Sequence, residues 1–100
     1  MTWTLFSVES TKRPALDAVL KDDLLGRQSQ KVREASAIGG PAGVVYVLLE
    51  GSPEAMRRAE ELLGPIGTKL PAADAEPLYR RFKDEEESAS AGMGLFFTEG

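Results

Sequence analysis

Residues 44–65 constrain the fold more than any other stretch, because they spell a strand and a helix with both helix ends marked. Val44-Val45-Tyr46-Val47-Leu48-Leu49 is a continuous apolar run. It is rich in β-branched residues, as a strand buried on both faces requires. Ser52 is a good N-cap, Pro53 suits the first helical turn, and Gly64-Pro65 is a stop signal. Between them Ala55, Met56, Ala59, Leu62 and Leu63 share one helical face. A doubly buried strand feeding a short amphipathic helix calls for a helix layer packed on a sheet.

The flanking segments extend this unit. Residues 2–9 read as a strand, with Trp3 and Leu5 on one face and Phe6 and Val8 on the other. Ser10 or Thr11 can cap a helix that has Pro14 near its start. Leu16, Val19, Leu20 and Leu24 form its apolar stripe, and Gly26 ends it. Residues 29–38 have mixed helix and strand character. A strand is predicted there, because Gly39-Gly40-Pro41-Ala42-Gly43 suits a hairpin loop that returns into 44–50. After the helix over 53–63, residues 66–70 give a short fourth strand.

The order over residues 2–70 is β-α-β-β-α-β, the split βαβ arrangement. The predicted architecture is therefore α+β, a ferredoxin-like βαββαβ antiparallel sheet with two helices on one face. Asp74 to about Ser88 adds a third helix, with Pro77 in its first turn and Ala75, Leu78, Tyr79 and Phe82 as its stripe. Small residues 88–92 read as a flexible spacer, and Gly94-Leu95-Phe96-Phe97-Thr98 as a fifth strand. The whole makes a single domain over 1–100, with a core at 1–70 and a helix-strand extension at 71–100.

Two helices cover one sheet face only, yet the strands are apolar on both. Two covers compete for the second face. Another copy of the sheet gives a homo-oligomer, dimer or higher; the third helix and tail give a self-covered protomer. The first is the leading expectation, with Trp3, Leu5, Leu48, Leu95, Phe96 and Phe97 at the interface.

The chain has no Cys and no His. Disulfides, zinc-thiolate and histidine metal sites, and Ser–His or Cys–His catalysis are excluded. Any acid–base chemistry falls to Asp, Glu, Lys or Tyr. A net charge of −4 argues against nucleic-acid or anionic-membrane binding. No apolar run approaches a membrane span, and no signal peptide is visible, so a cytoplasmic location is expected. No metal and no cofactor is called for.

The remaining candidates each have a plain structural reading. The glycine loop 39–43 lacks phosphate-loop spacing and precedes a strand, so it reads as a hairpin loop. Arg57, Arg58, Arg80, Arg81 and Lys83 would together make an anion-binding patch. Each also has an acidic residue at helical spacing, Lys83 with Glu87 among them. Asp84-Glu85-Glu86-Glu87 lacks the alternating ligands of a calcium loop and reads as a solvated helix end. Tyr46, Arg57, Tyr79 and Arg80 stand as the ligand-binding candidates, for a small anionic ligand.

Arg13-Pro14-Ala15-Leu16-Asp17-Ala18-Val19-Leu20 resembles the strand-to-helix turn of ACT regulatory domains, with Ala15 in place of the family's Gly and Lys12 in place of its acidic residue. Gly43 to Leu63 resembles the second half of bacterial microcompartment shell subunits. Both resemblances imply ferredoxin-like units that work by assembling. The leading functional expectation is a non-enzymatic homo-oligomeric module, regulatory in type, binding a small ligand or protein partner at a subunit interface. The alternative is a small enzyme of the dimeric α+β barrel type. It would have to use Tyr46, Tyr79, Arg80, Glu34 or Glu50.

Overall fold

A computed structural model describes residues 2–84. The strands are β1 (Thr2–Glu9), β2 (Ser29–Glu34), β3 (Val44–Gly51) and β4 (Gly67–Lys69). The helices are α1 (Arg13–Leu20), α2 (Pro53–Leu63) and α3, which starts at residue 72 and is described as far as residue 84. The predicted fifth strand, with Leu95, Phe96 and Phe97, lies outside the described residues.

The strands form one antiparallel sheet in the order β2-β3-β1-β4. Strands β1 and β3 take the centre because both are apolar on both sides. They pair over their full length, with Leu5 opposite Leu48 and Val8 opposite Val45. Alternation then sorts their side chains into two cores. Phe6, Val8, Val45, Val47 and Leu49 pack with Leu16, Ala59 and Leu63 beneath α1 and α2. Leu5, Tyr46 and Leu48 pack with Ala75 and Phe82 of α3. The sheet is thus covered on both faces within one chain, so the expectation of a second sheet on the free face gives way to α3. Leu5 and Leu48, each 1% exposed, are interior residues of the protomer rather than surface available to a partner.

Helix α2 has the predicted bounds. Ser52 Oγ accepts the Ala55 amide at 3.2 Å, and Pro53 occupies the first turn. Ser52→Ala should lower stability by about 1 kcal/mol, read as a shift of the urea midpoint. An unchanged midpoint would mean that the cap contributes nothing.

Several boundaries differ from the sequence expectation. Helix α1 stops at Leu20, and Leu24 lies beyond it. The Asp22 carboxylate accepts from the Leu24 and Leu25 amides at 3.2 and 3.4 Å, turning the chain into a 3-10 turn at Leu25–Arg27. Neither Ser10 nor Thr11 caps α1; both lie in a preceding 3-10 turn, Ser10–Lys12. Strand β2 ends at Glu34, four residues early, because Ala35–Ile38 winds into a 3-10 turn that buries Ala35 and Ile38 under α3. Gly39 closes that turn at φ 86°. Gly40 brings the loop close against Ala35 and Tyr46; an added Cβ would stand 2.9 Å from the Ala35 Cβ. Strand β4 is shorter than 66–70. Helix α3 begins at residue 72, before Asp74, so Pro77 falls in its second turn rather than its first.

Candidate functional site

The most unusual residue of the interior is Glu50. Strand β3 alternates Val44, Tyr46, Leu48 and Glu50 toward α3, so its last inward position carries a carboxylate. Trp3 of β1 and Ser29 of β2 are its cross-strand partners. The Glu50 side chain is only 9% exposed. Burying an ionised carboxylate demands compensation.

Helix α3 supplies it. Tyr79 and Lys83 are four residues apart and share a face. The Tyr79 hydroxyl donates to Glu50 Oε2 at 3.0 Å. Lys83 Nζ donates to Glu50 Oε1 at 2.7 Å. Trp3 stacks on the Tyr79 ring at 4.3 Å between centroids and 20° between planes, and the Lys83 ammonium sits 5.3 Å from the same ring centre. Burial pushes the Glu50 carboxyl up, but the Lys83 and Tyr79 hydrogen bonds and the charges of Lys83 and Lys31 outweigh it and hold the group below its ordinary value. Burial, with the bond to Glu50, pushes the Tyr79 phenol up. Glu50 therefore stays ionised and Tyr79 protonated around neutrality. Each carboxylate oxygen already accepts a hydrogen bond, so the group acts as a fastener between β3 and α3.

A second feature lies at the other edge of the sheet. Strand β4 covers β1 only as far as Leu5, whose carbonyl accepts the Leu70 amide at 3.0 Å. The chain then turns into α3, and the Pro71 carbonyl accepts the Asp74 and Ala75 amides. This departure leaves a groove of about 460 Å³ lined by Trp3, Leu70, Pro71, Ala72 and Ala75, with Lys69 at its rim. Lys69 is paired with Glu60 of α2. Thr4 borders the groove, and its buried Oγ1 has no hydrogen-bond partner among the described residues.

The predicted ligand contacts do not converge. Tyr46 lies buried beneath α3 against Gly40, and Tyr79 is in the Glu50 cluster. Arg80 is exposed and reaches Glu76 at 3.7 Å. Arg57 is on α2, on the opposite side of the sheet. The five-residue basic patch is divided in the same way: Arg57 and Arg58 belong to one helix layer, Arg80, Arg81 and Lys83 to the other. Arg58 binds Asp22 at 2.9 Å, tying α2 to the end of α1 and drawing the Asp22 carboxyl below its ordinary value. Arg81 donates to the Ile38 carbonyl at 3.1 Å, pinning the end of α3 to the loop after β2. Of the predicted interface residues among those described, Trp3 and Leu5 line this groove, Trp3 half-buried and Leu5 buried at its floor, while Leu48 is in the core.

Glu50 entered the sequence reading only as one of five possible acid–base groups. Its signal was present in outline: an acidic residue in phase with an inward apolar alternation, and a Tyr and Lys one helical turn apart on the segment needing a sheet to cover. No helix among the described residues is long and apolar enough to cross a membrane. Compared with known proteins, the chain matches no family model, no curated protein and no solved structure.

Proposed function

We propose that the chain is a non-enzymatic, homo-oligomeric module of ferredoxin-like type that binds a small ligand or a protein partner at a subunit interface. The observation that carries this reading is the contrast between a closed interior and an open edge. The most buried carboxylate among the described residues is committed to Lys83 and Tyr79, while the apolar groove beside Trp3 lies open where β4 stops. Open strand edges bordered by apolar surface favour association. The antiparallel order β2-β3-β1-β4 supports the ferredoxin-like assignment. The resemblance to ACT domains and microcompartment shell subunits belongs with this reading, since both families assemble. A cytoplasmic location and a regulatory role are part of the same proposal.

The barrel-type enzyme is disfavoured by α3. Such a barrel closes sheet face against sheet face, and here Ala75 and Phe82 occupy that face. Sedimentation equilibrium of the full chain over a wide concentration range tests the proposal. A mass of twice 10.8 kDa or a higher multiple is expected. A protomer mass at every concentration would contradict it.

A further inference from the structure

We infer that the groove beside Trp3 receives the apolar segment Leu95-Phe96-Phe97 of a second copy of this chain. The inference rests on the oligomeric reading and gives it an interface.

Three observations point to that occupant. The first is backbone chemistry. Within a strand the N–H and C=O of one residue point to the same edge, and alternate residues share it. Leu5 uses its outward carbonyl to bind Leu70. Trp3 has the same phase, and the ladder to β4 stops before it. Among the described residues its outward N–H and C=O have no partner from β4, and they offer a donor and acceptor to an extended segment that continues the line of β4.

The second is composition. The groove is walled by an indole, Leu70, Pro71 and two alanines, with Pro71 and Ala72 exposed to solvent. A segment fitting it must be extended and apolar. The residues after Asp84 contain one such run, Gly94-Leu95-Phe96-Phe97-Thr98.

The third is geometry. Helix α3 starts in the groove at Ala72 and runs away from it to where Arg81 and Asp84 stand beside Ala37 and Ile38. Thirteen helical residues carry the chain about 18–20 Å away from the groove. A tail returning to its own groove must double back along α3. In a two-fold pair each tail enters the other copy's groove, so one contact, made twice, fills both.

Trp3 is the only tryptophan, so its emission reports on the groove directly. The test combines light scattering and Trp3 fluorescence on the full chain, on F96D/F97D and on A72E. The first variant alters the tail outside the packed core, and the second blocks the groove at an exposed position. Far-UV circular dichroism verifies that both keep their helices. The expected result is an oligomer with blue-shifted Trp3 emission. Both variants should associate about a hundredfold more weakly and emit further to the red. Mixing them should restore a dimer, because one intact groove then meets one intact tail. If oligomers persist in both variants with unchanged emission, the inference is overturned while the oligomeric reading stands. A monomeric wild type overturns both, and a red shift in its tail variant would then place the tail in its own groove.

Discussion

Phe82→Ala is expected to cost about 3–5 kcal/mol of folding stability, a large share of the ~5–15 kcal/mol available to a domain of this size. Phe82 is 2% exposed and packs in the core that α3 shares with Leu5, Tyr46 and Leu48. The loss has two parts, the transfer free energy of the ring and the cavity it leaves. It also has a local signature. Phe82 and Ala75 are the buried residues of α3, so its loss loosens the helix and bares the sheet face beneath. Urea unfolding should show the lower stability, and a dye for exposed apolar surface should bind the variant under native conditions. A loss below about 1 kcal/mol, with no dye binding, would mean that α3 does not cover the sheet.

Lys83→Met is expected to lower stability at neutral pH by about 1–3 kcal/mol. Breaking a buried pair usually costs more, but the Lys83 side chain is 38% exposed and its charge is partly screened. The pH dependence identifies the cause. In the wild type the folded Glu50 carboxyl titrates below its ordinary value of 4.5. Its contribution is complete above that value and lost as pH falls through the folded pKa. In Lys83→Met the burial penalty, the largest influence on Glu50, faces the Tyr79 hydrogen bond and the Lys31 charge without Lys83, and we expect it to push Glu50 above the ordinary value. Acidification from neutral pH should then restore stability in the variant before it erodes it in the wild type. Urea midpoints at pH 7 and near pH 5 check the crossing. Glu50→Leu combined with Lys83→Met should recover most of the loss, since an apolar pair needs no compensation. Parallel pH profiles in the wild type and Lys83→Met would contradict a clamp centred on Glu50.

The β3–α2 unit was legible almost to the residue because every level of the sequence agreed there. The apolar run, the Ser52 cap, Pro53 and the Ala-Leu stripe all point one way. Boundaries failed where a side chain overrode local pattern. Asp22 turns the chain out of α1 because its carboxylate finds two amides and Arg58, a partner 36 residues away that no local window contains. Strand β2 ends early because Ala35 and Ile38 find burial under a helix that comes forty residues later.

The cover of the second sheet face was undecidable from pattern alone. A neighbouring sheet and an amphipathic helix bury the same kind of surface, and the stripe Ala75, Leu78, Tyr79 and Phe82 says only that α3 needs a partner. What separates the two is the fastener, and it is polar. Lys83 has an acidic residue four positions on, which at helical spacing reads as a solvated pair. In the fold it reaches Glu50 across the sheet face, because Tyr79 one turn earlier directs that face of α3 toward the sheet. The basic patch failed for the matching reason: adjacency in composition carried no information about which side of the sheet each helix occupies.

The central claim is that α3 belongs to the interior of the chain and covers the sheet face formed by Leu5, Tyr46 and Leu48. Native-state amide hydrogen exchange across residues 72–84 tests it most directly. The account predicts that the amides around Phe82 exchange as slowly as those of β1 and β3, opening only with the whole domain. Exchange of α3 near the rate of an unstructured chain, with the sheet still protected, would contradict it and return the apolar face to a partner.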